Sequence, residues 1–258
     1  VTGTPPNVVY TPAASYLGTD SFTFSVTAAS GQATTATVSI TVKRPNIVVV
    51  MADDQTLDQQ KYLPRTNALL GGQGTTFTNY VNSYPECCPS RATFLTGQFS
   101  HNTGMRSTAG DTGGAHKFKD ASSLATWLQQ AGYFTALAGK YFNSYGEETM
   151  PNTPVVPGTY VPPGWSDWYA LLEPSGYNFF DYKVSENGTI ITKGSAETDY
   201  STDVLFGRAE GHIRARGGSA QPLFLLVTPT APHATHGGLA PVPAPRHRNV
   251  LTNEKAPR

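Results

Sequence analysis

Apolar and polar residues alternate with period two over the first forty positions. Phe22, Phe24 and Val26 interleave with Ser21, Thr23, Ser25 and Thr27. After the turn signal Ala29-Ser30-Gly31-Gln32, Ala36, Val38, Ile40 and Val42 interleave with Thr and Ser. This pattern predicts two strands of a hairpin with one apolar and one hydroxylated face, and a third short strand fits Val8 to Thr11. From Asn46 the texture changes to short, fully apolar runs between helical stretches. Strands are expected at Ile47–Met51 (buried on both faces), Phe134–Ala138 and Leu223–Val227. Helices are expected at Pro89–Leu95, Ser122–Ala131 and Tyr200–Arg216; Leu124, Trp127 and Leu128 fall on one face of the second, and Gly132 stops it. Strands alternating with helices imply an α/β fold with a mostly parallel sheet covered on both faces. The stretch from Tyr145 to Gly176, rich in Pro, Gly, Trp and Tyr, has no period and reads as a long ordered loop. Pro45 cannot donate to a sheet ladder and marks the boundary, giving a partial all-β module over 1–43 and an α/β region over 44–258.

Charge narrows the function classes. Lys+Arg and Asp+Glu are 18 each among 258 residues, so the net charge is zero and no broad positive field serves nucleic acid. Charged residues are only 14% of the chain, and the Thr, Ser, Gly and Asn that replace them suit an exported protein. The apolar runs are strand-length, far short of the ~20 residues of a membrane-crossing helix. Val1 begins no signal-peptide pattern.

Candidate chemistry sits where strands end. Asp53-Asp54 follows the first apolar run, and two adjacent carboxylates there suit a hard divalent cation, although Asp also serves in turns and caps. Cys87-Cys88-Pro89-Ser90-Arg91 opens the first predicted helix, with Pro89 in its first turn. A cysteine there meets free N–H groups that favour anions and lower a thiol pKa, although a free cysteine before a helix is also an ordinary small hydrophobe. Lys140 ends the second apolar run, and Ala231-Pro232-His233 follows the third. Alone, Lys140 reads as a solvated lysine and His233 as a loop histidine. Asn187-Gly188-Thr189 has the form of a glycosylation tripeptide, which arises often by chance.

Cys87-x-Pro89-Ser90-Arg91 with Leu95-Thr96-Gly97 resembles the signature of formylglycine-dependent type I sulfatases, and Pro45 to Asp54 resembles that family's opening strand and first calcium ligands. Gly139-Lys140-Tyr141-Phe142-Asn143-Ser144-Tyr145-Gly146, the doubled cysteine and Pro163 to Ala170 are similar to the N-acetylglucosamine-6-sulfatase branch. Many members carry Trp-His after the lysine; here Tyr141-Phe142 stand instead, leaving one contact of the sulfate or leaving group unassigned. Residues 1–43 resemble part of a bacterial Ig-like or cadherin-like repeat. The resemblance implies an alkaline-phosphatase-like fold and hydrolysis of sulfated sugars, with 6-O-sulfated N-acetylglucosamine as substrate. It implies Cα-formylglycine from Cys87, made by a formylglycine-generating maturation enzyme. Its hydrate attacks sulfur beside Ca²⁺ held by Asp53, Asp54 and the position of Cys87. Arg91 and Lys140 offset the developing charge, and His233 donates a proton or binds sulfate. A secreted, periplasmic or cell-surface location follows. The family's downstream Asp-Asn pair and second lysine have no counterpart before Arg258, so the expectation is the N-terminal part of a sulfatase domain, with weak calcium binding and turnover alone. Two rivals remain: a phosphohydrolase of the wider superfamily, which Cys87-x-Pro89-Ser90-Arg91 argues against, and a non-catalytic surface protein with a relic domain that binds sulfated glycans.

Overall fold

The computed structural model describes residues 1–14, 16–147 and 156–250. Positions 148–155 of the expected loop and the final residues 251–258 lie outside this description. The chain divides into two compact units, Val1–Asn46 and Ile47–Arg258. In the first, β1 (Thr2–Thr4) pairs antiparallel with β2 (Asn7–Val9), and β3 (Gly18–Thr27) pairs antiparallel with β4 (Ala33–Val42). The register sets Phe22 opposite Val38, and Phe22, Val38, Ile40 and Val42 are the half-buried positions of the ribbon. The expected turn is closed by Ala28 N–H donating to Gln32 O at 2.8 Å.

The second unit is built on a six-stranded sheet of β5 (Ile47–Val50), β6 (Phe134–Gly139), β7 (Asp167–Leu172), β8 (Lys183–Glu186), β9 (Thr189–Thr192) and β10 (Leu223–Thr228), in the order β5-β10-β6-β7-β8-β9. The first three pairings are parallel and the last two antiparallel. The described α-helices are α1 (Pro64–Thr66), α2 (Cys87–Thr96), α3 (Ser100–Thr103), α4 (Leu124–Gln130) and α5 (Ser201–Arg216), with a π turn at Asn67–Gly71 and several short 3-10 turns between elements.

Period two explains how the sheet faces two layers. Phe224 and Leu226 of β10 join Leu137, Trp168 and the α2 residues Cys88, Ala92 and Leu95 on one face. Leu223, Leu225 and Val227 point the other way, onto Ala209 of α5. Small side chains at Ala136 and Ala209 suit close approach of α5 to the strands. Each fully buried Leu or Phe contributes roughly 1.5–3 kcal/mol. The parallel strands deliver their carboxyl ends to one edge, where Asp53, Lys140 and His233 follow.

Two expectations are corrected. β5 is not buried on both faces: Val48 and Val50 are 45% and 53% exposed. Among the described residues it pairs only with β10, and Val50 opens onto a cleft lined also by Leu69, Leu70 and Phe206. The stretch 145–176 is not loop throughout, since β7 runs through it; β7 is apolar on both faces and so shows no alternation. Asn187-Gly188 is a hairpin turn joining β8 to β9, with both residues at positive φ (49° and 86°), as a type I′ turn requires. The Asn187 amide donates to Asp167 Oδ1 at 3.0 Å and accepts from Trp168 N–H at 2.8 Å, so it is occupied by the sheet.

Candidate active site

Each site residue is placed by the backbone just beyond a strand or at a helix start. Asp53 lies past β5 and bridges in parallel to Pro232, which ties it to the loop after β10. Asp54 sits in the left-handed region at φ 58°, a conformation that non-glycine residues adopt when their surroundings hold them there. Cys87 opens α2, whose first turn has no side-chain cap. Arg91 lies one turn later on the same side of the helix. Lys140 follows β6, where its backbone is clamped: its N–H donates to Thr228 O at 2.8 Å and its carbonyl accepts from Thr228 Oγ1 at 2.7 Å.

The side chains converge on Asp53. Lys140 Nζ donates to Asp53 Oδ2 at 2.7 Å and to Cys87 Sγ at 3.4 Å. Arg91 Nη2 stands 3.7 Å from the same Oδ2, while its Nη1 donates to Lys140 O at 2.7 Å. The Cys87 thiol faces Asp53 Oδ1 at 3.6 Å. Asp53, Arg91 and Lys140 are each about 5% exposed or less. His233 joins the cluster, with Nδ1 2.6 Å from Ala234 O and Nε2 3.4 Å from Asp54 Oδ2. Donor atoms of Asp53, Cys87 and His233 lie within 4.8 Å of one another. The six residues singled out by sequence therefore meet at one place.

Electrostatics follow from burial. Desolvation would raise the Asp53 pKa, but Lys140 and Arg91 outweigh it and hold the carboxyl below its usual range. Desolvation dominates at Cys87, and the Asp53 carboxylate adds to it, so the thiol pKa is raised despite Lys140 and Arg91. This corrects the expectation of a lowered value: Lys140 and Arg91 do not offset burial. An unmodified Cys87 is held as a thiol, a poor nucleophile. Cys88 is buried and pushed up to about 11, with its Sγ facing Asn143 Oδ1 at 3.2 Å; it is a packed core residue.

Sequence reasoning missed the residues that support this cluster. Thr228 clamps Lys140, and Thr230 Oγ1 donates to Gly176 O at 2.8 Å while its own carbonyl accepts from His233 N–H at 2.8 Å. Tyr177 lies against both Lys140 and His233. No motif or period marked any of the three.

The sulfatase family profile matches residues 45–253, and the bacterial Ig domain profile matches residues 1–41. The chain belongs to the sulfatase family. It is 35% identical over 225 residues to an N-acetylglucosamine-6-sulfatase of Capra hircus, covering 84% of this chain and 38% of that protein. It is 31% identical over 219 residues to an extracellular sulfatase SULF-1 homolog of Drosophila melanogaster, covering 82% of this chain and 18% of that protein. The chain thus spans well under half the length of these sulfatases. Among solved structures, it matches a 6S-sulf protein from a Bacteroides thetaiotaomicron locus for metabolism of multiple glycosaminoglycans. The TM-score is 0.59 and the identity 18%, covering 81% of this chain and 54% of that one. That likeness supports the alkaline-phosphatase-like sulfatase fold read from the sequence. Among the described residues, no helix is long and apolar enough to cross a membrane.

Proposed function

We propose that the protein carrying this chain hydrolyses sulfate esters of sugars, with 6-O-sulfated N-acetylglucosamine in a glycosaminoglycan or related glycan as substrate. The observation that carries this reading is the Lys140 ammonium between Asp53 and Cys87, with Arg91 beside them. Two buried cations at the start of a helix form an environment for a tetrahedral anion, and a guanidinium and an ammonium meet its oxygens from different directions. The sugar assignment rests on the resemblance of residues 139–146 and 163–170 to the N-acetylglucosamine-6-sulfatase branch, and on relatives of that name.

Cys87 is the position for Cα-formylglycine, made by a maturation enzyme. Burial raises the Cys87 thiol pKa, so the unmodified side chain rests as a thiol. The carboxylates of Asp53 and Asp54 are hard oxygen donors that fit Ca²⁺; the His233 imidazole is a softer one. When bound, Ca²⁺ supplies Lewis-acid polarisation and the formylglycine hydrate supplies the attacking hydroxyl. The chain's own side chains do the rest. Arg91, anchored by its bond to the Lys140 carbonyl, and Lys140, anchored by Asp53, stabilise the charge that grows on the sulfate oxygens. His233 directs Nε2 into the site and has its other nitrogen fixed on the Ala234 carbonyl, so it is oriented to pass a proton to the leaving sugar oxygen. A secreted or cell-surface location accompanies this substrate and fits the extracellular sulfatase relative.

The test is ion chromatography of sulfate released from N-acetylglucosamine 6-sulfate, with the 6-phosphate as control, after conversion of Cys87 is confirmed. Sulfate release is expected. Preference for the phosphate ester, or no release of either anion, overturns the reading.

A further inference from the structure

The two side chains after Lys140 turn away from the site. Tyr141 and Phe142 are 3% and 1% exposed and pack on Phe118 in the core, so neither reaches a bound anion. The flank of Lys140 is covered from another element. Tyr177, at the end of the short turn Ser175–Tyr177 beyond β7, places its ring 4.5 Å beneath the Lys140 ammonium. The same ring lies 4.8 Å, centroid to centroid, from the His233 imidazole at an interplanar angle of 39°. Its hydroxyl accepts from Asn143 Nδ2 at 2.6 Å. The turn itself is tied to the loop carrying His233 through Thr230, which donates to Gly176 O while accepting from His233 N–H. Gly176 is packed there: an added Cβ would come within 3.1 Å of the Leu171 side chain.

We propose that Tyr177 is a positioning residue that holds the Lys140 ammonium and the His233 imidazole in one frame, with Asn143 and Thr230 as its struts. The inference rests on the reading of Lys140 and His233 as groups that contact the sulfate ester. An aromatic face attracts an ammonium through its quadrupole without requiring one of its N–H donors, so the three lysine donors stay available to Asp53, Cys87 and a bound anion. The same face blocks rotation of the imidazole and keeps Nε2 directed into the site. The ring performs both functions; the hydroxyl only fixes the ring.

The experiment compares Tyr177→Phe and Tyr177→Leu in the protein carrying this chain, with N-acetylglucosamine 6-sulfate as probe. Tyr177→Leu should lower kcat by about 3- to 30-fold with little change in KM, the range of one desolvated cation–ring contact, and Tyr177→Phe should restore most of it. Selective ¹³C-lysine NMR gives a readout independent of turnover. The Lys140 Hε signals, assigned with Lys140→Arg, should carry an upfield ring shift in the parent and in Tyr177→Phe that is absent in Tyr177→Leu. A parent without sulfatase activity defeats the functional reading, while the NMR lines still decide whether the ring holds the ammonium. An active parent with unchanged kcat in Tyr177→Leu, or Lys140 lines that are the same in all three proteins, overturns the role of Tyr177.

Discussion

Replacing Lys140 by Met tests the buried charge cluster on which the site depends. Lys140 and Asp53 are 4% and 5% exposed and 2.7 Å apart. Removing one partner of such a pair leaves a buried charge and costs about 3–5 kcal/mol. Arg91, still 3.7 Å from the carboxylate, absorbs part of that, which places Lys140→Met near the lower end, about 3 kcal/mol. At roughly 2–4 °C per kcal/mol for a protein of this size, the midpoint falls by about 6–12 °C. The double variant Asp53→Asn/Lys140→Met removes both charges and should recover about 2 kcal/mol relative to the sum of the singles. The sign with pH follows from the lowered Asp53 pKa. The stability it contributes is present above the ordinary carboxylate value and is lost as pH falls through its folded value, so parent and variant converge in acid. Urea unfolding of parent, both singles and the double, with chelator present and at neutral and acid pH, measures this directly. A Lys140→Met protein within about 1 kcal/mol of the parent at neutral pH, or strictly additive singles, refutes the cluster as an energetic unit.

Other outcomes follow from the same geometry. Arg91→Lys keeps the charge but loses the planar donor set that reaches both the Lys140 carbonyl and Asp53, so kcat should fall by about 10²–10³ in the sulfate-release assay. Gly139 sits at φ 130°, and an added Cβ would come within 2.1 Å of Thr228 O; Gly139→Ala should cost at least about 2 kcal/mol in urea unfolding and displace Lys140. On the far side of the sheet, burial would raise Asp167, but His212, Asn187 and Arg208 hold its carboxyl well below the usual range. Arg208→Ala should cost about 1–3 kcal/mol at neutral pH, and the difference should shrink as pH falls through the lowered Asp167 value; a pH-independent difference would contradict this.

The sequence was legible where one physical signal dominated. The alternation of Phe22 to Val42, the buried runs at β6 and β10 and the single-face spacing of Leu124, Trp127 and Leu128 each led to the observed element. β7 was missed because Trp168 to Leu172 is buried on both sides and sits among Pro, Gly and aromatic residues that suggest loop. The β8–β9 hairpin is masked in the sequence because Asn187-Gly188 also opens a glycosylation tripeptide, although the same pair is a strong turn signal. Motifs at strand and helix ends nominate Asp53, Asp54, Cys87, Arg91, Lys140 and His233, and the structure brings these side chains together. The sign of the Cys87 shift was not, because burial outweighs nearby positive charge and depends on residues distant in sequence. Tyr177 was invisible for a similar reason: its role arises only when the turn after β7 is tied by Thr230 to the loop after β10.

The most direct test of the central claim is peptide mass spectrometry of the segment containing Cys87, from protein coexpressed with a formylglycine-generating enzyme. The account predicts a peptide about 18 Da lighter than the thiol form and reactive toward an aldehyde probe, with sulfate release rising in proportion to that fraction. An unmodified Cys87 thiol in a preparation that still releases sulfate would contradict it.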